Sequence, residues 1–99
     1  MTLVFEDEAK AEFKAAACYY EEQADGLGER FTAYIEAALT RILANPSLPR
    51  CFDGHFRRMK SDKFPYVVIY QLIDEQMIIM AIMHTSRRPR YWESRLKGG

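Results

Sequence analysis

Seven consecutive apolar residues, Met77-Ile78-Ile79-Met80-Ala81-Ile82-Met83, constrain this chain more than any other feature. The run is about a third of the length a membrane-spanning helix needs, so no transmembrane helix is expected. It reads instead as a β-strand apolar on both faces, which belongs in the middle of a sheet. Strict alternation puts Met77, Ile79, Ala81 and Met83 on one face and Ile78, Met80 and Ile82 on the other. Both faces then need covering.

The first half of the chain supplies one cover. Thr2-Leu3-Val4-Phe5 reads as an opening strand. Phe5, Ala9, Phe13, Ala17, Tyr20 and Ala24 then recur every three or four residues, the spacing of one helix face. Glu6, Asp7 and Glu8 stand where carboxylates meet the positive end of a helix dipole. Asp25-Gly26 ends that helix, with Gly26 suited to a left-handed cap. Leu27, Phe31, Tyr34, Ile35, Ala38 and Ile42, widened by Leu39 and Leu43, predict a second helix that stops at Asn45-Pro46. So short a turn makes the two helices an antiparallel αα-hairpin.

The second half supplies the sheet. Phe56-Arg57-Arg58-Met59-Lys60 alternates apolar and basic, as a half-buried strand does. Phe64 to Leu72 is rich in β-branched and aromatic residues, with Pro65 tolerable at a strand start. Asp74-Glu75-Gln76 is a tight connection into the apolar run. The expected fold is α+β, one domain over residues 1–99 in the order β-α-α-β-β-β. The αα-hairpin packs on one face of a small, mostly antiparallel sheet. For the other face there are two candidate covers, the C-terminal segment folding back or a partner protein.

At 48% apolar and 28% charged, the composition is that of an ordinary globular protein and excludes a disordered chain. Glu6, Asp7 and Glu8 stand where a basic, then apolar, leader would run, so no secretory leader and a cytoplasmic location are expected. Cys18 and Cys51 have no metal-ligand spacing and read as reduced thiols. The zero net charge conceals a dipole: residues 1–49 carry nine acids and four bases, residues 50–99 five acids and ten bases. The basic half can face an acidic partner. No zinc spacing, phosphate-binding loop, dinucleotide fingerprint or Ser–His–Asp set occurs, so no metal or cofactor is expected.

Three groups of residues, in order, resemble a known family: Tyr19-Tyr20 with Gly26-Leu27-Gly28, Arg30-Phe31 and Asn45-Pro46; Phe64-Pro65-Tyr66 with Tyr70; and the tail from His84 to Arg95. Over this span the chain resembles the RelE/ParE superfamily of toxins from bacterial type II toxin–antitoxin systems. It is more similar to the ParE, or plasmid-stabilisation, branch. The resemblance implies a cognate antitoxin that wraps the toxin with a segment that folds on binding; no residue is assigned to that contact. It also implies a target. ParE-like members inhibit DNA gyrase by contact, whereas RelE-like members bind the ribosome and cleave mRNA.

The gyrase reading places the target surface on the tail, at Arg87, Arg88, Arg90, Tyr91, Trp92 and Arg95. Four arginines within nine residues are denser than a solubilising face requires. The alternative, a ribosome-dependent endoribonuclease, needs a base, an acid and cations around a phosphate. It would use His84 or Lys60 for proton transfer, Arg58 and Arg87 as clamps, and Tyr91 to stack on a base. Plainer roles compete at each position. His84 suits a hydrogen-bonded turn, Arg57 and Arg58 a charged sheet surface, and Tyr91 and Trp92 packing anchors. A third reading is a fold that has lost its toxicity and persists through its antitoxin.

Overall fold

The computed structural model describes residues 1–52, 54–87, 91 and 92. Strand β1 (Thr2–Phe5) leads into α1 (Asp7–Gln23) and α2 (Leu27–Ala44). Four strands follow: β2 (Cys51–Phe52), β3 (Phe56–Lys60), β4 (Tyr66–Ile73) and β5 (Gln76–His84). Asp7 and Glu8 occupy the first turn of α1, where their charge complements the dipole. Gly26, at φ +82, makes the left-handed turn between the helices. The carboxylate of Glu21 reaches across from α1 and accepts from the Gly26 and Gly28 N–H groups, both at 3.0 Å. It satisfies two donors that the start of α2 would leave unpaired. The apolar stripe of α2 buries Phe31, Ile35, Ala38, Leu39 and Ile42 against the sheet.

The sheet runs β1-β5-β4-β3-β2. Strand β1 pairs parallel with β5, and every other pairing is antiparallel. The apolar run is therefore an interior strand, as its composition requires. Strand β2, which was not expected, adds two residues at the far edge, opposite Phe56 and Arg57. Strand β4 begins two residues later than expected. Lys63 takes φ +69, and the Tyr66 N–H donates to the Phe64 carbonyl, so the turn extends through Pro65.

The expected alternation along β5 fails at one point. Ile69 pairs with Ala81 but Tyr70 pairs with Ile79, leaving Met80 as an extra residue in a bulge. Beyond it every side chain changes face. Met77, Ile79 and Ile82 pack under the helices, while Met80, Ala81 and Met83 line the opposite face. Trp92, with Tyr91 beside it, packs onto that second face. Trp92 is 1% exposed, with its ring centroid 4.4 Å from Phe56 and 6.1 Å from Phe52.

Under the helices the core is aromatic: Tyr20, Phe31, Phe64 and Tyr66 meet with centroids 4.9–6.1 Å apart. Tyr70 is fully buried, and its hydroxyl donates to the Pro46 carbonyl at 2.7 Å. On the same face Arg57 donates to the carbonyls of Ser47 and Pro49, at 3.1 and 2.6 Å. Together they hold the loop that follows α2. Burial pushes the Tyr70 phenol above its ordinary value of 10.0, against an opposing pull from Arg57. Burial raises Tyr20 and Tyr66 as well. A raised phenol keeps its proton in the folded state after the unfolded chain has lost it, so stability declines as pH climbs past 10.0. Tyr70→Phe is expected to cost about 1 kcal/mol at pH 8. That gap should narrow above pH 10.0, because the variant lacks this titration. Melting curves of both proteins between pH 8 and 11 check this; a gap that stays constant contradicts it.

Candidate functional site

The site is built where β5 ends. The Thr85 N–H donates to the Pro65 carbonyl at 2.8 Å, and the Arg87 N–H to the His84 carbonyl at 3.0 Å. His84 closes the same turn with its ring: Nδ1 accepts from the Ser86 N–H at 3.0 Å and lies 2.8 Å from the Ser86 hydroxyl. A backbone N–H can only donate, so Nδ1 is the acceptor and the neutral ring carries its proton on Nε2. The bulge has turned His84 to the helix side of the sheet, where its ring meets Tyr66 edge-on at 5.3 Å.

Beyond the turn, the Arg87 guanidinium lies 3.9 Å from the centroid of the Tyr91 ring, a cation–π contact. The Tyr91 hydroxyl donates to Oε2 of Glu12 on α1. Glu12 Oε1 accepts from the Ile82 N–H at 3.1 Å. The next residue, Trp92, plugs the second core, so its indole is an anchor turned into the molecule. Arg88, Arg90 and Arg95 lie outside the described residues.

Two depressions flank this segment. One, of about 140 Å³ on the face away from the helices, is lined by Arg58, Thr85, Arg87 and Trp92 over Val67, Ile69 and Met83. The other, of about 280 Å³, runs between α1 and the end of β5, past Glu12, Tyr19, Tyr66, His84 and Arg87. Arg87 borders both. Arg58 and Arg87 thus come together, as the clamp reading requires. The proposed proton-transfer groups do not join them. His84 lines only the second depression, and Lys60 lines neither. The Lys60 ammonium donates to the carbonyls of Ser61 and Phe64, at 3.0 and 3.3 Å, and closes the β3–β4 turn. The one ion pair among the described residues, Arg41 with Asp62 at 3.8 Å, is exposed, so no described carboxylate pairs with Arg58. Among the described residues no three His, Cys, Asp or Glu side chains gather to hold a metal ion, and no helix is long and apolar enough to cross a membrane.

Glu12 has no place among the sequence-derived site residues. One signal for it exists: an acid three residues after Ala9 and four before Ala16 sits on the buried stripe of α1.

The chain is thus a small α+β domain with a helical hairpin on one sheet face and the Trp92 indole anchored in the other. Residues 3–89 match the family model described as the ParE toxin of the type II toxin–antitoxin system, parDE, and the chain belongs to that family. It is similar to Toxin ParE2 of two Mycobacterium tuberculosis strains, CDC 1551 / Oshkosh and H37Rv. Each is 26% identical over 86 residues, covering 87% of this chain and 82% of the relative. Among solved structures it is similar to the chromosomal ParDE toxin–antitoxin system from P. aeruginosa. That likeness has a TM-score of 0.64 at 17% identity and covers 85% of this chain and 95% of the other. At that identity the likeness is one of fold.

Proposed function

We propose that this ParE-type toxin arrests growth by binding DNA gyrase through its basic C-terminal surface, and that a cognate antitoxin neutralises it. One observation carries the proposal: the described residues of the tail, Arg87, Tyr91 and Trp92, are each held in place. Arg87 is stacked on Tyr91, Tyr91 is tied to α1, and Trp92 is buried under the sheet. A cation held on an ordered platform loses little freedom on binding, which favours recognition by contact. Membership of the ParE family supports the antitoxin, as does the likeness to a solved ParDE system.

The RelE-like reading has one observation in its favour, the depression that Arg58 and Arg87 share. Against it, the imidazole and ammonium meant to move protons are engaged elsewhere as turn-formers. Expressing the chain alone should arrest growth, and the antitoxin encoded beside it should restore growth. Plasmid DNA from arrested cells should lose negative supercoils while mRNA stays whole. Fragmented mRNA on fully supercoiled plasmid would favour the nuclease; unimpaired growth would favour the relic.

A further inference from the structure

We infer that Glu12 is the positioning residue for the basic tail, one carboxylate latching α1, the edge of β5 and Tyr91 together. The inference rests on the reading that the tail meets the target, and it deepens that reading. Its origin is a gap in the sheet. Strand β1 ends at Phe5, opposite Ile79, so β5 continues past its parallel neighbour. The Ile82 N–H would face outward with no strand to receive it. The small buried residues Ala9 and Ala16 flank Glu12 one turn to either side and let α1 lie close to β5. The half-buried Glu12 carboxylate therefore reaches the backbone, with Oε1 3.1 Å from the Ile82 nitrogen.

Its other oxygen makes the connection. Oε2 takes the Tyr91 hydroxyl, 79 residues away in sequence. Tyr91 carries Arg87 on its ring face at 3.9 Å. Position thus passes from the sheet through Glu12 and Tyr91 to the one described arginine that borders both depressions. Hydrogen bonds to a carboxylate are about twice as strong as neutral ones, and this one is a second tie on the tail beside the Trp92 anchor. Glu12 need not touch the target for this; it sets where Arg87 is held.

Three variants separate the latch from simple stability. Tyr91→Phe removes only the hydroxyl and keeps a ring beneath Arg87. Glu12→Ala removes the bonds to both Ile82 and Tyr91. Glu12→Gln keeps a carbonyl for the Ile82 N–H and an amide within reach of the Tyr91 oxygen, so it is the conservative rescue. Hydrogen exchange across residues 84–92 should accelerate roughly tenfold in Tyr91→Phe and Glu12→Ala, the factor one hydrogen bond to a charged group carries. The toxin concentration that half-inhibits gyrase supercoiling should rise by a similar factor. In Tyr91→Phe the emission of the single tryptophan should stay that of a buried indole. Glu12→Gln, which keeps both contacts without the charge, should fall between wild type and Glu12→Ala in both assays. Unchanged exchange in Tyr91→Phe and Glu12→Ala overturns the latch. Faster exchange with inhibition equal to wild type overturns the positioning role. A wild-type chain that leaves gyrase untouched overturns the gyrase reading alone, and the exchange measurement still decides the latch.

Discussion

Gly28→Ala is expected to cost about 3 kcal/mol, at the upper end for forcing an extra carbon into a packed site. In a domain of this size that lowers the melting temperature by roughly 12–24 °C. At an ordinary helical position the same change would stabilise the chain by up to about 1 kcal/mol. Here the sign reverses because the helices of the hairpin touch. A Cβ built on Gly28 would lie 2.5 Å from the Ala17 carbonyl oxygen and 3.0 Å from the Glu21 Cβ. The first neighbour is backbone and cannot swing aside; α2 must back away from α1. The second carries the carboxylate that caps the start of α2, so displacing it also strands the Gly26 and Gly28 N–H groups. Gly26 is a useful contrast. It needs its left-handed backbone but has nothing within 4 Å. Gly26→Ala should therefore cost only about 1–2 kcal/mol. Thermal unfolding followed by circular dichroism ranks the two; Gly28→Ala melting within a few degrees of wild type would contradict the close packing.

Trp92→Ala should cost about 3–5 kcal/mol, the range for deleting a buried aromatic. It should also abolish target inhibition. The indole is the largest side chain in the second core and sits against Phe52 and Phe56. Without it the face made by Val67, Ile69, Met80 and Met83 meets water, and Tyr91 loses the anchored residue beside it. Trp92→Phe refills part of the space and should recover part of both effects. Chemical denaturation measures the first effect and supercoiling inhibition the second. A variant that loses less than about 1 kcal/mol would mean that the tail does not hold this face.

The helices were legible because α2 carries a broad stripe at one period and a glycine and a proline mark its ends. The hairpin and the interior position of β5 follow from the same reasoning. The bulge was not legible, for a physical reason. A one-residue slip normally exposes an apolar set, but every residue from Met77 to Met83 is apolar, so both registers satisfy the pattern. That slip decides which face His84 joins, and with it how the candidate site divides. Strand β2 was missed because two residues carry no period. The roles of Arg57 and Lys60 were missed because alternation assigns a face but not the loop carbonyls that receive the donors. Glu12 belongs with these. Its partners are 70 and 79 residues away, and only its place on the buried stripe marks it.

The proposed mode of action is contact with gyrase. Its most direct test is supercoiling and cleavage by purified gyrase on plasmid DNA, run beside ribosome-bound mRNA cleavage with the same toxin preparation. Contact with gyrase predicts loss of supercoiling or trapped double-strand breaks, with the mRNA intact. Cut mRNA with gyrase fully active would contradict it and would move attention to Arg58, Lys60 and His84.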